Sequence, residues 1–245
     1  MHTINAQDGN QIYYKDYGSK EAKDTGAFPL QPLNSDNWEN RENQMFFLAN
    51  RGYRVVAHDR RGHGCSDQPW TGNDMNTHSD NLSQSLEYLD LEDVTLVGHS
   101  TDGVKSRDSS AVMARAESTM LSSSSSMFTL AGSLGSTAWV PGVKVSQGQI
   151  WSLWRQGMAT GIRDAYECIE VFSKTDMRED LNRIDIPILV LCGDDDGIVP
   201  FDGSAPEAMK LLKKGTLKVF KGASHVVPNM YVAEVYSRLM AFLGA

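Results

Sequence analysis

Apolar and polar positions alternate through Gln11-Ile12-Tyr13-Tyr14-Lys15-Asp16-Tyr17-Gly18, which predicts an early hairpin strand at a sheet edge. Ser19 to Thr25 is polar and charged. Next, Gly26-Ala27-Phe28-Pro29-Leu30-Gln31-Pro32-Leu33 is an apolar patch cut by two prolines, which a central strand does not tolerate. Trp38, Met45 and Leu48 share one face of a helix that stops at Gly52. Tyr53 to His58 reads as a strand, followed by the turn-rich Asp59-Arg60-Arg61-Gly62-His63-Gly64-Cys65-Ser66. Leu82, Leu86 and Leu89 mark another helix, and the run Val94 to Val97 another strand. Strand and helix thus alternate, the rhythm of a parallel sheet with helices on both faces, and the expected class is α/β.

Beyond Ser100 the pattern weakens. Lys105 to Ser110 is too polar for a helix packed under a sheet, although Val112-Met113-Ala114 recovers apolar character. Five serines, Ser122 to Ser126, stand where another buried strand is due and read as a loop, leaving Met127-Phe128-Thr129-Leu130 as a short strand. Trp139 to Asp180 is helical, with Ile150, Trp151, Trp154 and Met158 at helical spacing and then Tyr166, Ile169 and Phe172. Such a stripe reads as packing, with the roof of a pocket as the other reading. Ile188 to Cys192 is a continuous apolar run between Pro187 and Gly193, as in a strand buried on both faces. Ser204-Ala205-Pro206-Glu207 has the form of a capping box before a short helix carrying Met209 and Leu212. Leu217 to Phe220 forms the last strand, Lys221 to His225 a polar loop, and Val232, Val235, Leu239 and Phe242 a terminal helix.

Composition narrows the function classes. A chain of 245 residues, 40% hydrophobic and 22% charged, buries a full core and reads as one domain, residues 1–245. A net charge of -8 argues against nucleic acid and anionic membranes as partners and for small neutral ligands. The first residues lack a basic region followed by an apolar run, and no stretch reaches a membrane span, so a cytoplasmic location is expected. Cys65, Cys168 and Cys192 lack metal-site spacing and read as reduced thiols, Cys192 buried in a strand.

Three polar side chains stand just after strands: Ser100 in Gly98-His99-Ser100-Thr101, Asp196 in Asp194-Asp195-Asp196-Gly197, and His225. The carboxyl ends of strands in an open parallel sheet share one edge, which lets the three converge. A serine hydroxyl becomes nucleophilic when a histidine takes its proton, and a carboxylate holds that histidine's tautomer. Ser, Asp, His is the chain order of one such fold. Alternatives remain at each position: Ser100 as an ordinary turn serine, Asp194 or Asp195 as the acid, a cation held by the three aspartates, and His58, His63, His78 or His99 as competing histidines in surface or loop positions.

The chain resembles the α/β-hydrolase superfamily and, within it, the cofactor-free haloperoxidases, or perhydrolases, and their aryl esterase relatives. The resemblance rests on Asp16-Tyr17-Gly18, on Phe47-Leu48-Ala49 through Arg61-Gly62-His63-Gly64, on Ser66-Asp67-Gln68-Pro69-Trp70, and on Gly98-His99-Ser100-Thr101. It continues in Trp154-Arg155-Gln156-Gly157-Met158, Phe172-Ser173-Lys174-Thr175-Asp176, and Gly193 to Pro200. It implies an α/β-hydrolase fold, mostly parallel, with a small helical cap inserted over residues 131–180. Ser100 matches the nucleophile, Asp196 the acid and His225 the base, and Thr101 supplies one oxyanion N–H. Counting back from Pro32-Leu33 puts Gln31 at the other oxyanion donor. Trp139, Trp154, Ile198 and Val199 are expected along the substrate pocket. No metal, haem or other cofactor is implied.

Two family features are altered. The strand that ends in His-Gly-Trp-Pro-Leu in relatives retains only Pro32-Leu33, and Asp102 stands where the second elbow glycine belongs. The insertion between Leu130 and Trp139 is also short for a cap. The expected function is therefore a serine hydrolase cleaving small carboxylic, including aryl, esters through an acyl-enzyme. Perhydrolysis and cofactor-free haloperoxidase chemistry are expected as side activities. Its partners would be a small ester or acid and water or hydrogen peroxide, with a homo-oligomer left open. The alternative is a catalytically weak or inactive member of the fold that binds a ligand.

Overall fold

The alternating segment forms β2 (Gln11–Tyr17), which pairs antiparallel with β1 (Thr3–Asn5) and with β3 (Val55–His58). The hairpin forms as the alternation implies, but its second strand lies between two neighbours instead of at an edge. Polar residues on β2 had hidden this: Asp16 is not in water but accepts two hydrogen bonds from Arg54, at 3.1 and 2.9 Å, beside the start of β3. Each charge is kept by its partner, since a lone buried one would be costly. The structure, a computed structural model, describes residues 2–20, 42–92, 94–99, 112–116, 147–148, 151, 154–155, 158–225 and 227–244, with backbone alone for 112–116, 229 and 230.

The described residues fall into two compact units. The first lies within Met1–Val112 and Trp151–Phe172. Besides β1 to β3 it holds α1 (Glu42–Ala49), α2 (Met75–Tyr88), β4 (Thr95–Gly98) and most of α3 (Ile162–Lys174). Met45 and Leu48, three positions apart, face inward from α1, and the chain leaves it through Gly52 at φ +90°. Asp74 caps α2 by accepting from the Asn76 and Thr77 N–H groups at 3.0 and 3.1 Å. Trp38 lies outside the described residues.

The second unit lies within Met113–Ile150 and Ser173–Ala245. Here β5 (Val112–Ala116), β6 (Ile188–Gly193) and β7 (Gly215–Phe220) run parallel, Met113 opposite Ile188 and Ile188 opposite Gly215. Every residue of β6 is buried, as its unbroken apolar run requires. The unit also contains α4 (Arg178–Arg183), α5 (Ala205–Leu211), α6 (Val227–Met230) and α7 (Val232–Leu243).

Three local expectations change. The strand ahead of β6 begins at Val112, where a short apolar run did not distinguish strand from helix; Lys105 to Ser110 and Ser122 to Leu130 lie outside the described residues. Ser204 does not close a capping box: its hydroxyl donates to the Pro200 and Phe201 carbonyls at 2.9 and 3.2 Å, and Glu207 pairs with Lys210. Trp151, Trp154 and Met158 are exposed rather than packed, and α3 turns Asp164, Cys168 and Phe172 inward. Helical spacing fixed which residues share a face, not which face meets the core. Cys65 is exposed and Cys168 and Cys192 are buried, and none of the three is in a disulfide.

Candidate active site

The parallel register of β6 and β7 delivers two loops side by side. Gly193, the last residue of β6, lies opposite Phe220, the last of β7. A Cβ on Gly193 would collide with the Ala223 carbonyl and stand 2.8 Å from the Ser224 oxygen, so only glycine lets the loops approach this closely. The Asp195 N–H donates to the Ala223 carbonyl at 3.0 Å and the Gly222 N–H to Asp194 Oδ1 at 2.5 Å, which fastens loop to loop.

Asp196 and His225 meet across this junction, with His225 Nδ1 2.7 Å from Asp196 Oδ2 and both side chains buried. The other carboxylate oxygen, Oδ1, accepts from the Ile198 and Val199 N–H groups, each at 2.8 Å. Three donors therefore compensate the buried carboxylate. An ionised carboxylate only accepts, so Nδ1 carries the hydrogen, and in the neutral ring the lone pair sits on Nε2. This is the tautomer that a general base requires. Asp194 and Asp195, the other candidates for the acid, are exposed.

Comparisons with known proteins identify the family. The α/β hydrolase fold family matches residues 27–101. A non-heme chloroperoxidase from Streptomyces lividans is 36% identical, with 99% of each chain covered. The bifunctional esterase/perhydrolase DCH of Acinetobacter calcoaceticus is 35% identical over the same share of each chain. The chain belongs to the non-heme haloperoxidase and perhydrolase family of α/β hydrolases. Among solved structures, a bromoperoxidase from Bacillus anthracis superposes with a TM-score of 0.84 at 26% identity, covering all of both chains. The alignment to the Streptomyces enzyme runs over 277 positions, more than the 245 residues here, so that relative carries segments this family member lacks.

Ser100, Thr101, Asp102, Gln31 and Trp139 lie outside the described residues. Of the expected pocket residues, Trp154 is 65% exposed, Ile198 is half-buried and Val199 is buried. The part that Ile198 and Val199 play through their backbone was not expected. Its signal was present, since an aspartate two residues ahead of a non-proline residue is the form of an Asx turn.

The competing histidines are not in surface positions. His58, His63, His78 and His99 are all buried. His63 Nδ1 donates to the Arg61 carbonyl at 2.9 Å, and Nε2 faces the Arg60 guanidinium at 3.3 Å. Burial, with Arg60 nearby, pushes His63 down to about 3 and His58 to about 4. His78 is lowered in the same way, and its ring nitrogens have no hydrogen-bond partner among the described residues. Of the histidines weighed as the base, His225 is the one seen hydrogen-bonded to Asp196, a buried carboxylate.

Two outcomes are expected. Proton NMR of the folded protein will show a far-downfield His225 Nδ1–H resonance that Asp196→Asn removes while the fold is kept; its persistence in the variant would contradict the assigned bond. Between pH 6.5 and about 4, the unfolded chain protonates His58 and His63 while the folded chain keeps them neutral. Stability therefore rises with pH through this window and is lost on acidification, by about 1.4 kcal/mol per pH unit for each ring fully in the window. Urea midpoints measured from neutral pH downward check this, and a flat or rising profile toward acid would be inconsistent with it.

Proposed function

We propose that the chain is a serine hydrolase that cleaves small carboxylic esters, aryl esters among them, through an acyl-enzyme on Ser100. The observation that carries this reading is the buried Asp196–His225 hydrogen bond, whose tautomer leaves Nε2 as the base. Ser100 is the nucleophile in this account, two residues after the glycine that ends β4. His225 takes the Ser100 proton as Oγ attacks the ester carbonyl, Thr101 N–H helps hold the oxyanion, and His225 returns the proton to the departing alcohol. Water, deprotonated by the same ring, then releases the acid.

Hydrogen peroxide in place of water yields a peracid. The peracid oxidises halide to hypohalous acid, taking up a proton and returning the carboxylic acid, so no metal is needed in the cycle. The haloperoxidase and perhydrolase names of the relatives support this branch. A second reading, an attenuated or inactive member that binds a ligand, is favoured by Asp102 at the elbow and by the loss of the His-Gly strand ahead of Pro32. One missing oxyanion donor lowers the rate roughly a hundredfold or more.

The test is turnover of p-nitrophenyl acetate, with and without peroxide and bromide. Slow hydrolysis and peroxide-dependent bromination are expected, both lost in Ser100→Ala and His225→Ala. Folded wild-type protein with no turnover would favour the second reading, and turnover that survives Ser100→Ala would exclude the acyl-enzyme on that residue.

A further inference from the structure

In the first unit, α2 turns a histidine toward a buried group of basic side chains. His78 and Asn81, three positions apart, share the inner face of this helix. Asn81 Oδ1 accepts from Arg61 Nε at 3.2 Å, which ties that face to the loop after β3. Within the loop, Arg60 Nη2 lies 3.3 Å from His63 Nε2, and His58 ends β3 just before it. His58, Arg60, Arg61, His63 and His78 are each no more than 5% exposed.

His78 is the member of this group whose bonding is unmet. Neither of its ring nitrogens has a hydrogen-bond partner among the described residues. A neutral imidazole carries one N–H and one lone pair, and a buried donor left without an acceptor is costly. The field around the ring is positive as well. After burial, the largest influences on His78 come from Arg60, His63, Arg61 and His58, and each opposes a proton on it. Two carboxylates belong to the same region: Asp8 pairs with Arg61, and Asp59 accepts from the Cys65 N–H at 2.7 Å. His78 bonds to neither.

These conditions select the ligand's chemistry. A metal cation would find a ring lone pair but also two guanidinium groups that repel it. Water would satisfy the ring and leave the positive field as it is. An anion answers both the N–H and the field. Arg61 and His63 are among the most completely buried side chains, and a core closed this tightly admits a monoatomic ion before a tetrahedral oxyanion. Among halides, the larger and more weakly hydrated lose least on leaving water.

We propose that the His78 ring and the Arg60 guanidinium hold a halide ion between α2 and the loop after β3. The ion accepts the His78 N–H and fastens the helix to the loop. It is bound and not oxidised, and the site does not rest on the esterase reading.

Two measurements on the full chain test this at neutral pH. Crystals of the wild type grown with bromide and read at the bromine absorption edge are expected to show an anomalous peak within hydrogen-bond reach of a His78 ring nitrogen. In solution, replacing sulfate by about 0.1 M bromide at equal ionic strength is expected to raise the wild-type Tm by about 4 °C, the reverse of the general salt order, in which sulfate stabilises more. His78→Phe and His78→Leu, which remove the ring nitrogens, are expected to return to the general order. No peak at His78, or a water in its place, overturns the site. A peak without the wild-type shift means binding at crystal concentration only and overturns it too, as does an equal bromide shift in the variants. Should neither variant fold, the wild-type peak and the reversed salt order decide.

Discussion

The hydrogen bond between His225 and Asp196 depends on the absence of a side chain at Gly193. Parallel pairing sets Gly193 opposite Phe220, and the bare backbone at the end of β6 lets the Ala223–Ser224 segment close against it. Only then do the loops after the two strands bring a carboxylate and an imidazole to 2.7 Å. The Ile198 and Val199 N–H groups hold the carboxylate from its other side, so that it cannot turn away from the ring. Register, close approach and backbone donors thus fix a tautomer, and the tautomer fixes which nitrogen is the base in the proposed reaction.

Buried polar groups in this chain serve two ends. Arg54–Asp16, the Asp8–Arg61–Asn81 group and the neutral His58 and His63 hold β2, β3 and the following loop in one arrangement. Asp196–His225 holds the imidazole proposed as the base. Both kinds are desolvated: His63 turns its nitrogens to the Arg60 guanidinium and the Arg61 carbonyl, and His225 turns Nδ1 to the Asp196 carboxylate, the bond that the proposed proton transfer uses.

Much of this was legible in the sequence. Unbroken apolar runs placed β4 and β6, helical spacing placed α2 and α7, and the position of Asp196 and His225 after strands brought the pair within reach. What failed did so for physical reasons. Short mixed stretches such as Val112–Ala116 carry no decisive period, and α3 presents an aspartate to its inner face because two glycines make room for it. Burial of His58, His63 and His78 was equally hidden, since their environment comes from residues distant in the chain or folded back from the next turn. The alternating polar residues of β2 read as an edge because sequence shows polarity, not the partner that satisfies it.

The central claim is that the buried pair activates Ser100. The most direct measurement is reaction of the folded protein with a fluorophosphonate, with the modified residue located by mass spectrometry, because this probe reports an activated serine without presupposing the ester. The account predicts a single modification, on Ser100. A folded protein left unmodified, or modified at another residue, would contradict it.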